Sequence, residues 1–168
     1  MVTARVLTVL LLAATLLSGP AGAAAAPSPG TSALWTWPLV DEPAVTRGFD
    51  LLPSPYAAGH RGVDLAGAVG GPVLAAGAGV VTFAGMVAGR PVVSVQHPDG
   101  VRTTYEPVLP TVAAGQPVAR GTPLGSLAGG HAGCPVEACL HWGLRRGDRY
   151  LDPLGLLRVP RVRLLPWP

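Results

Sequence analysis

The sequence predicts an all-β domain of antiparallel strands joined by short hairpins, and three observations lead there. The chain holds 23 Gly and 19 Pro, too much punctuation for a helical protein, yet 49% hydrophobic residues is more than a disordered chain carries. From Val63 to Leu127, β-branched and other apolar residues recur in short runs bounded by glycine or proline, as strands do. Nowhere is a 3.6-residue apolar period sustained over a helical length.

Taken in order, the chain opens on a leader. Arg5 is the only charged side chain before Asp41, and Val6 to Leu17 is an uncharged, mostly apolar run. Ala21-Gly22-Ala23 fits the small-residue pattern cut by signal peptidases, so residues 1–23 read as a signal peptide and the protein as exported. The run is short for a membrane span, and no stable membrane insertion is expected after cleavage. Residues 24–34 are mostly Ala, Pro, Ser and Gly without periodicity, a flexible linker. Residues 35–157 form one domain, long enough to bury a core, and 158–168 form a short Arg- and Pro-rich tail.

Within the domain, Trp35-Thr36-Trp37-Pro38 is expected to pack across the end of a sheet. Val45 to Phe49 alternates like a short strand, and a loop with Tyr56 runs to Gly59. Strands are expected around Val63–Leu65, Pro72–Ala76, Gly79–Gly85, Pro91–Gln96 and Val101–Tyr105, then near Val118 and Leu124. Between the fourth and fifth of these, His97-Pro98-Asp99-Gly100 has the Asp-Gly chemistry of a hairpin tip.

The residues that carry chemistry lie in two stretches. Gly59-His60-Arg61-Gly62-Val63-Asp64 offers His60 and Asp64 as metal ligands, with Gly62 expected to let the backbone bend so that both face one ion. Far downstream, Cys139-Leu140-His141-Trp142-Gly143 reads as a strand, on which Cys139 and His141 share a face. Two imidazoles and a carboxylate are a zinc-binding set that leaves a fourth position open.

The ordered set of Trp-Pro, Arg47-Gly48-Phe49, His60-Arg61-Gly62-Val63-Asp64-Leu65, Pro72 to Gly77, Gly79-Val80-Val81, Val95-Gln96-His97, Thr104-Tyr105, Val118 to Gly121, Leu124-Gly125 and Leu140-His141-Trp142 resembles the LytM/lysostaphin-type metallopeptidases. The resemblance runs from about Trp35 to Leu157. It implies a curled antiparallel sheet with one Zn2+ in a groove, and cleavage of peptides in bacterial peptidoglycan. By position, His60, Asp64 and His141 match the family's zinc ligands, and the strand containing Tyr105 is expected to border the groove.

The catalytic positions depart from the family's pattern. Members carry a histidine two residues before the last ligand and another just after the tyrosine; here these are Cys139 and Glu106. A carboxylate can act as a general base, so Glu106 is the candidate catalytic residue. It cannot replace a histidine that donates to an oxyanion, because an ionised carboxylate only accepts, and losing one such donor costs on the order of a hundred- to a thousand-fold in rate.

The chain's two cysteines, Cys134 and Cys139, are expected to form a disulfide in an exported protein, worth ~2 kcal/mol on the chain-entropy account. The competing reading makes a reduced Cys139 a fourth zinc ligand, which would close the site. His97 reads as a turn residue. His131, on the glycine-rich loop, could swing in to replace a missing imidazole.

All 12 basic residues are arginine and the net charge is +3, which calls for no nucleic-acid partner. Two functions follow: a secreted zinc endopeptidase acting on peptidoglycan peptides in the cell wall as a monomer, or a catalytically weak zinc-bound relative that binds wall peptides or regulates another hydrolase.

Overall fold

The computed structural model describes residues 34–51, 53–54 and 57–158. The expected leader, all of the linker but Leu34 and all of the C-terminal tail but Arg158 lie outside the described residues.

The fold is antiparallel throughout, as the strand pattern predicts. The strands are β1 (Val45–Arg47), β2 (Gly62–Gly67), β3 (Pro72–Leu74), β4 (Gly79–Val87), β5 (Arg90–Gln96), β6 (Val101–Glu106), β7 (Val108–Pro110), β8 (Pro117–Val118), β9 (Pro123–Leu127), β10 (Ala138–Arg146) and β11 (Arg149–Leu151). A 3-10 turn over Pro153–Leu157 follows, its first turn capped by the Asp152 carboxylate. The large sheet has the order β1-β2-β10-β6-β5-β4-β8, with β11 folded back on the end of β10; β3, β9 and β7 form a small second sheet. Both β7 and β11 are absent from the sequence reading.

Alternation sets the two faces of the large sheet. Along β6, Val101, Thr103 and Tyr105 are buried while Arg102, Thr104 and Glu106 are partly open. The closed face supplies Val63, Leu65, Val93, Val95, Tyr105, Leu140 and Trp142 to the core, where Val73, Val108, Leu124 and Leu127 of the small sheet meet them. Each such fully buried aliphatic side chain contributes about 1.5–3 kcal/mol relative to exposure. The open face carries the site.

Two expectations about the hairpin are corrected in detail. The turn forms where expected, with Gly100 at φ +82° and its N–H donating to the His97 carbonyl. His97 is more than a turn residue. It is 3% exposed, Nδ1 donates to the Ala78 carbonyl at 2.8 Å, Nε2 accepts from Thr103 Oγ1 at 2.7 Å, and its ring packs edge-on against Trp35. Tyr105, expected beside the groove, points the other way. It is fully buried and its Oη accepts from the Ala76 N–H at 3.0 Å; burial raises its pKa to about 12. Successive strand residues face opposite sides, so a strand that presents Glu106 to the groove must turn Tyr105 into the core.

Candidate metal centre

The site is assembled by register. Asp64 on β2 pairs with His141 on β10, and His141 pairs in turn with Glu106 on β6, which puts the three side chains in one row on the open face. His60 enters from the loop just before β2. Its backbone N–H donates to Asp50 Oδ2 at 2.7 Å while the Asp50 N–H donates to the His60 carbonyl at 3.0 Å. Sequence reasoning passed over Asp50 as a loop residue; only the fold shows that it holds His60 in place.

His60, Asp64 and His141 each offer a ligand atom, and these atoms lie within 4.8 Å of one another. His60 Nε2 is 2.9 Å from Asp64 Oδ1 and 3.0 Å from His141 Nδ1, which is itself 2.9 Å from Asp64 Oδ1. His60 Nδ1 is 2.6 Å from the Gly48 carbonyl. A carbonyl only accepts, so Nδ1 carries the proton and the neutral ring turns the Nε2 lone pair to the centre. Lone pairs converging at this spacing repel unless a cation or proton lies among them. Ligands ~2.0–2.1 Å from a tetrahedral zinc stand about 3.3 Å apart. The donor set therefore fits a small divalent ion.

Burial acts on Asp64 first, and by itself would raise its pKa. The hydrogen bond from His141 and the charges that His60, His131 and His141 carry when protonated outweigh it and lower the value to about 2. The carboxylate is thus anionic at any pH where the imidazoles could bind metal.

Gly62 acts by size. It stands in regular register opposite Gly143, where no bend is needed, but a Cβ there would come within 2.5 Å of the Trp142 carbonyl oxygen and 2.7 Å of His141 Nε2. The glycine makes room for the ring of His141.

Cys134 and Cys139 are joined in a disulfide, with Cα atoms 5.6 Å apart, so Cys139 is no fourth ligand. The bridge ties the preceding loop to β10, and that loop delivers His131: its Nε2 is 3.3 Å from Asp64 Oδ2, and its ring stacks over His141 with centroids 6.0 Å apart. Glu106 sits beside His141, but Arg90 Nε donates to its Oε1. Nothing local in the sequence marks that pair, because β5 begins at Arg90 and β6 ends at Glu106.

A groove of about 470 Å³ runs from His141 and Glu106 over Gly143 and Thr104 to Arg102 and Arg145. A larger cavity of about 770 Å³, between Phe49 and Leu151, is lined by none of the site residues; the smaller one reaches the chemistry.

Peptidase family M23 matches residues 58–153. Protein Rv2891 of Mycobacterium tuberculosis is 53% identical over 146 residues, covering 84% of this chain and 59% of the relative; the chain thus spans about three fifths of the curated relatives it matches. Among solved structures, Helicobacter pylori Csd3 is similar at 25% identity and TM-score 0.63, over 79% of this chain and 35% of that one. The catalytic domain of the antimicrobial peptidase lysostaphin from Staphylococcus simulans shares the fold at 23% identity and TM-score 0.57, over 68% and 92%. SpoIIQ in complex with SpoIIIAH shares it at 23% and 0.61, over 72% and 98%. The family match spans more than half of the residues and encloses the whole of His60, Asp64 and His141, and the chain belongs to peptidase family M23.

Proposed function

We propose that the protein is a secreted zinc-dependent endopeptidase acting on peptide bonds of bacterial peptidoglycan. The observation that carries this reading is the convergence of His60 Nε2, Asp64 Oδ1 and His141 Nδ1 at the end of an open groove. When bound there, zinc supplies Lewis-acid polarisation of a carbonyl and acidifies water. The chain's own residues do the rest. Gly48 and Asp50 orient His60, and Glu106 is the carboxylate placed to accept a proton beside His141. His131 supplies the imidazole that position 139 lacks, from a loop tied down by the disulfide of that same residue.

A second reading is favoured by the ion pair between Arg90 and Glu106 and by the absence of a histidine at 139: a zinc-bound relative that holds wall peptides or a partner without cutting. SpoIIQ, of the same fold, is seen in complex with SpoIIIAH. Purified, zinc-loaded protein incubated with muropeptides separates the two. The endopeptidase reading expects new free amino termini, lost on chelation and restored by zinc; intact muropeptides after prolonged incubation would leave the second reading.

A further inference from the structure

Beyond the metal-ligand row, the open face holds an arginine pair. Arg145 on β10 stands directly opposite Arg102 on β6, and both line the groove that begins at His141. Like charges directly opposed across a ladder destabilise it. Arg102 gains only a neutral partner, donating from Nε to Gln96 Oε1 at 3.2 Å. Glu106 is the single carboxylate lining the groove among the described residues, and it is already taken by Arg90. Between the arginines and the ligand row the floor is made of Gly143, Thr104 and Ser94, which stand in register across β10, β6 and β5. Small side chains there leave room for an extended chain to cross. The groove therefore has Arg102 and Arg145 at one end, a floor of small uncharged residues and the metal-ligand row at the other end. Arg61 and Arg90 also line it, Arg61 donating to the Ala57 carbonyl and Arg90 pairing with Glu106.

We infer that Arg102 and Arg145 form an anion subsite that takes a carboxylate of the bound peptide, and so select substrates with free acidic groups a few residues from the metal centre. This deepens the peptidase reading and rests on it for the identity of the ligand. His141 and Arg145 are four residues apart on β10, about 13 Å at ~3.3 Å per residue. An arginine side chain is long enough to span part of that distance, so the subsite would take an acidic group two to four residues from the ligand row of an extended peptide. The guanidinium fork matches a carboxylate bidentately, and would match a phosphate too. A peptide carboxylate is the occupant that the adjoining trough and metal-ligand row fit.

The test reads binding. Fluorescence anisotropy of the zinc-loaded protein is measured with a labelled muropeptide stem bearing free carboxylates and with the same stem amidated, mass spectrometry verifying that each stays intact. The acidic stem should bind about ten- to a hundredfold tighter, and raised salt should narrow the gap. Arg102→Gln and Arg145→Gln should each remove most of the difference, the larger loss falling on the acidic stem. Neither variant should lower the melting temperature, since each relieves a like-charge contact. Equal affinities for the two stems, or a preference that survives the double substitution, would overturn the subsite. Tighter binding of inorganic phosphate than of the acidic stem would overturn the choice of carboxylate. The peptidase reading fails separately: a protein that prefers the acidic stem through these arginines but cuts nothing keeps the subsite and loses the hydrolase. One that cuts both stems but binds them alike does the reverse.

Discussion

His131 Nε2 lies 3.3 Å from Asp64 Oδ2, while His60 and His141 both contact Oδ1 of the same carboxylate. One oxygen faces the ligand atoms and the other is held by an imidazole from a separate loop. Groups that hold a ligating carboxylate from behind typically change metal affinity by about 10- to 100-fold. His131→Ala is expected to weaken zinc binding by that factor, read by competition with a chromophoric chelator. His131→Gln, which keeps an N–H donor, should recover part of it. Unchanged affinity in both variants would remove His131 from the centre.

The loop that carries His131 is anchored by the Cys134–Cys139 disulfide. The non-reduced protein should show two fewer alkylatable thiols than the reduced one by mass spectrometry. The double variant Cys134→Ser, Cys139→Ser should reproduce the zinc-affinity loss of His131→Ala, and adding His131→Ala to it should cost little more, since linked groups are not additive. Full additivity would show that the disulfide acts elsewhere.

Glu106 stands beside His141 in register and is ion-paired with Arg90; the proposed endopeptidase uses it as the base. Glu106→Gln keeps the shape and loses the base, so zinc content and fold should persist while turnover drops by about a hundredfold or more. Unaltered turnover would reduce Glu106 to a surface partner of Arg90.

His97 gives the fold a pH dependence apart from the metal centre. Burial, only partly offset by the Ala78 carbonyl and the charge of Asp99, lowers its pKa below 6.5. As pH falls through 6.5 the unfolded chain takes up that proton before the folded one does, so stability declines below about pH 6.5 and is unaffected by this group above it. The difference in melting temperature between wild type and His97→Gln should narrow between pH 8 and pH 5. A gap that is constant across the range would mean that the buried ring titrates normally.

Most of the sheet was legible because alternation and the glycine-bounded runs are local. The candidate cluster of His60, Asp64 and His141 was legible too, since each stands in recognisable surroundings, although only the register of β2 against β10 brings Asp64 and His141 side by side. Strand parity, applied to Tyr105 and Glu106, would have excluded one of them from the groove. What could not be read were pairings made by distant segments. The grip of Ala78 and Thr103 on His97, the Arg90–Glu106 ion pair, the clamp of Asp50 on His60 and the opposition of Arg102 to Arg145 all depend on register. The role of Gly62 was visible as a glycine but not as the room that His141 needs.

Zinc content tests the centre most directly. Wild-type protein, exchanged into metal-free buffer after loading, should retain about one zinc per chain by elemental analysis. His60→Ala, Asp64→Ala and His141→Ala should each lose most of it while keeping the β-sheet circular dichroism of the parent. Equal zinc in wild type and in all three variants would contradict the assignment of His60, Asp64 and His141, and with it the proposed endopeptidase.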